Sequence, residues 1–165
     1  MVNRKRIHWA LLGLAILWGL WYAFPTRERQ VKRQLKSLAG WASKAKDEGA
    51  LAMAQRAGEA NRYFAASCTW KAEAYNVSGR FTPEEISRMA LAARYRLEKI
   101  SVRFYDVHVA FPAKDTADVD ATVRIQGRSR DGDTINETHE VEGVLKKTDG
   151  RWLLEDVTVV QVLER

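Results

Sequence analysis

Residues 117–126 read Ala117-Asp118-Val119-Asp120-Ala121-Thr122-Val123-Arg124-Ile125-Gln126. Apolar and polar side chains alternate without a break, the period of a strand with one face buried and one in water. The chain on either side follows the same rule. In Ile100–Phe111, Val107, Val109 and Phe111 share a face, with Asp106 and His108 on the other. Arg130-Asp131-Gly132-Asp133 is a hairpin turn leading into a strand over Thr134–Lys147. Thr148-Asp149-Gly150 then turns the chain into a last strand, Trp152–Leu163. Four antiparallel strands in a meander are expected.

Upstream the period changes to that of a helix. Arg27–Phe64 contains no proline and is rich in Ala, Lys, Arg, Gln and Glu. Val31, Leu35, Leu38, Ala42 and Ala45 recur at three- and four-residue steps, the apolar stripe of one helix. Asp47-Glu48-Gly49 interrupts it, with Gly49 suited to a left-handed helix end. A second helix is expected from about Ala50 to Phe64, burying Leu51, Ala54, Ala57 and Phe64, followed by a weakly signalled strand over Cys68–Tyr75. A third helix has Thr82 as cap, Pro83 as first residue and Glu85 closing a Thr-x-x-Glu box. Its stripe is Ile86, Met89, Ala90, Ala93 and Leu97. Helices followed by a meander define an α+β domain, with helices packed on one face of a curved antiparallel sheet.

This succession resembles the nuclear-transport-factor-2-like superfamily, which includes SnoaL-like proteins and has a cystatin-like cone. The resemblance covers residues 35–163 and is carried by Ala45–Leu51, Thr82–Ile86, Asp115–Val123 and Asp149–Leu154. It implies a conical domain whose helices and sheet enclose a pocket, and homodimerisation through the sheet. The pocket serves as an active site in some members, holds a ligand in others and is filled in many.

The N-terminus points to a membrane. Ile7–Phe24, IHWALLGLAILWGLWYAF, holds 18 residues without a formal charge, preceded by Arg4-Lys5-Arg6 and followed by Pro25. As a helix it reaches about 27 Å, close to the hydrocarbon thickness of a bilayer. Trp9 at one end, and Trp18, Trp21 and Tyr22 at the other, fall at headgroup depth. Trp21 stands where a cleavage signal needs a small residue, so an uncleaved signal anchor is expected. The expected organisation is a basic tail over 1–6, a transmembrane anchor over 7–24, a juxtamembrane basic helix start over 25–34 and the α+β domain over 35–165. A literal count, Arg4, Lys5 and Arg6 before the span against Arg27, Arg29, Lys32, Arg33 and Lys36 after it, would keep the large domain in the cytoplasm. Moving the basic tail and α-amino group across a membrane costs about 9 kcal/mol per 100 mV, which favours a cytoplasmic N-terminus. The expected location is a bacterial inner membrane, with a periplasmic or extracytoplasmic domain.

Charge agrees with that placement. The net +6 divides into +3 over residues 1–26, +5 over 27–66 and −2 over 67–165. Arg4, Lys5, Arg6, Arg27, Arg29, Lys32 and Arg33 are expected at anionic headgroups. A nucleic-acid groove would need its basic excess on the folded domain, so no nucleic-acid partner is expected.

Few residues carry chemistry. A single cysteine, Cys68, precludes an internal disulfide and reads as a buried apolar residue. The three histidines have no metal-ligand spacing, and phosphate loops and nucleophile elbows are absent, so neither metal nor cofactor is expected. If Val141 and Leu145 point inward, Glu137 and His139 do too, as weak candidates for an acid–base pair. The competing reading places them on a solvated strand end. Trp70, Tyr75, Tyr105 and Trp152 are candidates for a ligand pocket, though large residues equally fill cores. A steroid-isomerase-like site would find only Glu73 as base and Trp41 in place of a tyrosine donor.

Two functions follow. The first is a membrane-anchored, non-catalytic binding or scaffold domain of an envelope complex, an architecture shared with bitopic scaffold subunits of type IV secretion systems. The second is a tethered SnoaL-like lyase or isomerase, or a carrier of a small lipophilic ligand. An open apolar cavity with His139 or Glu137 inside it favours the second, and one packed shut by Trp70 and Trp152 the first.

Overall fold

The period-3.6 stripe of Arg27–Ala42 makes helix α1, which buries Val31, Leu35, Ala39 and Trp41 and exposes Lys32, Arg33 and Lys36. The computed structural model describes residues 26–163, apart from the side chains of Ala74 and of residues 161–163. The chain divides into two units, residues 1–30 and 31–165. The expected span Ile7–Phe24, with Arg4, Lys5 and Arg6, lies outside the described residues. Among those described, no helix is long and apolar enough to cross a membrane.

Helix α1 stops at Ala42, and the segment to Gly49 is tied down by polar contacts. Ser43 Oγ donates to the carbonyl of Ala39 (2.7 Å) and accepts from the Val102 amide (2.9 Å). Lys44 and Ile100 exchange backbone hydrogen bonds of 2.8 and 3.1 Å. Gly49 is extended (φ −69°, ψ 158°) and precedes helix α2, Ala50–Ala57, so the expected left-handed helix end does not form there. Helix α2 is also shorter than expected, because the chain tightens into a 3₁₀ turn over Gly58–Arg62. That shift of phase buries Met53, Ala57 and Ala60 and leaves Leu51 73% exposed.

Helix α3, Pro83–Arg96, begins at the expected capping box. The Glu85 amide donates to Thr82 Oγ1 (3.3 Å) and the Thr82 amide to Glu85 Oε2 (2.8 Å). Its buried face holds Ile86 and, unexpectedly, Arg94, while Met89 is exposed. The Arg94 guanidinium donates to Glu48 Oε2 (2.7 Å) and to the carbonyls of Trp41 and Ser43. A side chain of α3 thus serves carbonyls that α1 leaves unpaired at its end. Lys44 Nζ lies alongside, donating to the carbonyls of Arg94 (2.7 Å) and Leu97 (2.5 Å). Burial, with Arg130 nearby, pulls the Lys44 ammonium below the ordinary lysine range.

The sheet has six strands: β1 Phe64–Ala72, β2 Val77–Phe81, β3 Leu97–Ala113, β4 Thr116–Ser129, β5 Thr134–Thr148 and β6 Arg151–Leu163. Their order is β2-β1-β6-β5-β4-β3. The expected meander forms β3 to β6. The expectation of a wholly antiparallel four-stranded sheet is corrected by β1 and β2, because β1 pairs parallel to β6. Such pairing joins distant residues and has no local signature. The β5–β6 turn has Asp149 and Gly150 at φ 50° and 79°, the left-handed pair that a two-residue hairpin needs. In β3 a bulge between Tyr105 and His108, with Asp106 at φ 49°, bends the strand.

In β4 the alternation holds: Ala117, Val119, Ala121 and Val123 are buried, while Asp118, Asp120 and Arg124 are exposed. The inward face meets α1, the 3₁₀ turn and α3 in a core that includes Trp41, Tyr63, Phe64, Ile86, Leu145 and Trp152.

Candidate functional site

The small side chains of β4 leave space beneath α1. Ala121 of β4 and Gly143 of β5 are among the smallest residues of the lining. The result is a cavity of about 290 Å³. Leu35, Leu38, Ala39, Trp41 and Ala42 of α1 form one wall; Val119, Ala121, Val123, Val141 and Leu145 belong to the other. Phe64 and Trp70 border it, their rings 6.0 Å apart. The lining is almost wholly apolar.

Of the four aromatic candidates, the structure brings only Trp70 to this cavity. Trp152 is buried in the core, its ring 5.9 Å from Phe111. Tyr105 projects from the opposite sheet face, where the Arg124 guanidinium lies 5.3 Å from its ring. Tyr75, in a 3₁₀ turn over Glu73–Tyr75 between β1 and β2, meets Glu137 and His139 instead. His108 and Asp106 are exposed on the sheet's outer face. Arg27, Arg29, Lys32 and Arg33 are exposed on α1.

The Glu137–His139 pair lies further along β5, outside the residues that line the cavity. In the β4–β5 register Val123 stands opposite His139, and Ile125 opposite Glu137, and both of those β4 residues line the cavity. Directly paired residues project from the same face, so His139 points inward, as the alternation through Val141 and Leu145 implies. It is 4% exposed. Its Nε2 lies 3.0 Å from Glu137 Oε2 and 3.1 Å from the Tyr75 hydroxyl, which itself donates to Glu137 Oε2 at 2.8 Å. The Tyr75 and His139 rings meet edge to face, 5.6 Å apart. The Tyr75 hydroxyl donates to Glu137 Oε2, so both oxygens are placed to accept from an Nε2–H. Nδ1 is buried and has no hydrogen-bond partner among the described residues.

Burial, with Glu137 beside it, pushes the Tyr75 hydroxyl up to about 12. Above pH 10 an unfolded chain ionises this tyrosine before the folded one does. Stability from this group is therefore whole below about pH 10 and declines as pH rises toward 12. Tyr75→Phe is expected to flatten the alkaline side of a stability–pH curve measured by urea unfolding. An unchanged slope would place the perturbation elsewhere. Burial also pushes the Cys68 thiol up to about 11, so it stays protonated and apolar.

Sequence reasoning named Glu137 and His139 but not their meeting with Tyr75, 62 residues from Glu137. Arg94 was missed altogether, although it stands eight residues after Ile86, a spacing that belongs to a helix's inward stripe. No group of His, Cys, Asp and Glu among the described residues has the geometry of a metal site.

No protein-family model matches the chain, and no curated protein matches it. Solved structures do. The chain is similar to the Kfla4162 protein of Kribbella flavida at 14% identity, with a TM-score of 0.68 over 84% of this chain and 94% of that one. It is similar to a protein of the nuclear-transport-factor-2-like family from Streptomyces avermitilis, assigned as a dehydratase, at 16% identity. That match has a TM-score of 0.62 over 86% of this chain and 100% of the other. The association domain of C. elegans CaMKII matches at 18% identity and a TM-score of 0.56, over 80% and 93% of the two chains. The domain therefore has the nuclear-transport-factor-2-like fold, a cone of helices on a curved sheet. At such identities the likeness establishes the fold and leaves function to the site.

Proposed function

We propose that this domain binds a small lipophilic molecule in the cavity between α1 and the sheet, at a membrane to which Ile7–Phe24 tethers it. The carrying observation is the cavity itself. About 290 Å³ of space walled by Leu, Val, Ala, Phe and Trp side chains forgoes the dispersion contacts of a filled core. A cavity of about 150 Å³ accommodates benzene, so twice that volume suits about a dozen non-hydrogen atoms. The cavity is not closed by Trp70 and Trp152, which supports a ligand over a filled core, although neither Glu137 nor His139 is among its lining residues.

Biphenyl is the probe of matching size. It is expected to quench tryptophan fluorescence of the full chain in detergent, because Trp41 and Trp70 border the cavity. Ala121→Phe, which puts a ring into the empty space, is expected to weaken that binding more than tenfold while holding or raising the thermal midpoint. Unaltered biphenyl binding in this variant would remove the cavity as its site.

A second reading, a tethered lyase or isomerase, rests on the Glu137–His139 pair, whose carboxylate orients an imidazole as acid–base chemistry requires. The dehydratase assignment of one fold neighbour agrees with it. Self-association, part of the scaffold reading, has a counterpart in the association-domain neighbour. Sedimentation of the full chain in detergent tests it, and a monomer would exclude it. A reporter enzyme fused after Arg165 tests the tether, with activity outside the cytoplasm expected.

A further inference from the structure

A second hollow shares no lining residue with the apolar cavity. It is a trough of about 700 Å³ over the start of β3, the end of β4 and the start of β5, beside the segment that follows α1. Lys99, Ser101 and Arg103 alternate with Ile100 and Val102, and so share the outer face with Tyr105. The lining includes Lys44, Lys46, Lys99, Arg103 and Arg128, and among the described residues no carboxylate lines it. Residues 67–165 are net negative, so this concentration of cations is local. The strand register brings them together: Lys99 stands directly opposite Arg128, and Arg103 directly opposite Arg124. Like charges so placed weaken a sheet. Glu98, beside the trough, meets Lys46 at 3.0 Å and Arg128 at 3.9 Å. The side chains of Lys99 and Arg103 make no ion pair or hydrogen bond among the described residues. Arg124 lies outside the lining, its guanidinium against the Tyr105 ring.

We propose that this trough binds a compound carrying at least two phosphoryl groups, one held between Lys99 and Arg128 and a second by Arg103. The two positions are four residues apart on β3, about 13 Å at the backbone, a span that long flexible side chains shorten. Between them Ser101 and the facing Gln126 and Asn136 present neutral hydrogen-bonding groups to the linking oxygens. The arginine fork matches the paired oxygens of a phosphate. A bound anion turns the repulsion between opposed cations into attraction, a use for these pairs that the sheet by itself does not supply. A single phosphate would leave one of the two positions unmet. The site is separate in face and chemistry from the lipophilic cavity and does not rest on it. A soluble oligophosphate and a lipid headgroup with two phosphodiesters share the chemistry it requires.

Calorimetric titration of the full chain in a neutral detergent, at about 0.15 M salt, uses inorganic tripolyphosphate as the probe. It is expected to bind about tenfold or more tighter than inorganic phosphate and to raise the thermal midpoint. Lys99→Gln is expected to weaken it about tenfold. Arg103→Glu has a signature of its own. It sets a carboxylate opposite Arg124, so the thermal midpoint of the free protein is expected to rise while tripolyphosphate binding falls about a hundredfold. Arg80→Gln removes a cation from β2, at the other edge of the sheet, and is expected to leave binding unchanged. A short-chain cardiolipin identifies the source. Binding tighter than that of tripolyphosphate, and lost in Arg103→Glu, assigns the trough to a lipid headgroup; weaker binding assigns it to a soluble compound, and both support the site. Phosphate and tripolyphosphate binding alike, or Arg80→Gln losing as much as Arg103→Glu, would reduce the trough to a solvated basic surface and overturn the proposal. A lower midpoint in Arg103→Glu would show that no repulsion stands there for an anion to relieve, and would overturn it too. A dimer that tripolyphosphate disperses in sedimentation would give the trough to the acidic end of a second copy, where Asp120 stands opposite Glu142, and would overturn it as well.

Discussion

Arg94→Met is expected to lower the unfolding free energy by about 3–5 kcal/mol, because it strips a buried charge of its partner rather than removing a whole pair. Arg94 and Glu48 have side chains only 3% and 6% exposed, with Nη1 and Oε2 2.7 Å apart. Methionine can fill the space of the arginine stem, so lost packing is the smaller part of the cost. The larger part is the Glu48 carboxylate, left with Arg56 at 3.4 Å as its remaining ion-pair partner. The carbonyls of Trp41 and Ser43 lose their donor as well. Urea unfolding of the full chain in detergent checks the figure. Adding Glu48→Gln to Arg94→Met should recover more than about 1 kcal/mol, since it removes the stranded charge. A single variant within about 1 kcal/mol of the parent would mean that water reaches this pair and that the α1–α3 clasp contributes little.

Leu145→Ala is expected to cost about 3 kcal/mol. Leu145 is 1% exposed and forms part of the cavity wall. Leucine-to-alanine changes in cores cost about 2–5 kcal/mol, the spread depending on how far the surroundings collapse. Here collapse is poor, because β5 is held between β4 and β6 by ladders on both sides. The new void also joins the existing one, which links this variant to function. A probe larger than biphenyl should now enter, and at a hundred times its dissociation constant it restores about 2.7 kcal/mol. Loss of stability without any gain for a larger probe would show that Leu145 does not separate the two spaces.

The strands of β3 to β6 and the start of α3 were legible because their signals are local. Period-two alternation over Ala117–Gln126, the Asp149-Gly150 turn and the Thr82–Glu85 box each involve residues within a few positions of one another. Where the expectations missed, the deciding contact was distant. Helix α2 ended early at Gly58. Strand β1 took a parallel neighbour about 90 residues away. Arg94 took no part in the sequence reading, because only the end of α1 gives it carbonyls to serve.

The candidate site divides in the same way. Alternation put Glu137 and His139 inward only if Val141 and Leu145 were, with a solvated strand end as the alternative; the structure buries His139 and leaves the Glu137 side chain 44% exposed. Nothing local could add Tyr75, which a 3₁₀ turn beyond β1 carries to them. Nor could a list of aromatic residues separate Trp70, at the cavity, from Trp152, in the core, or Tyr105, on the outer face. That sorting depends on sheet order and on the placement of α1.

The sequence by itself determined the α+β class, the two faces of β3 and β4 and the concentration of positive charge near Ile7–Phe24, since all three follow from residues adjacent in the chain. The tertiary structure alone decided that small side chains on β4 would face α1 across open space, and that one histidine nitrogen would be left without a partner. Cavities and orphaned atoms are what packing leaves unfilled, and packing exists only once distant elements have met.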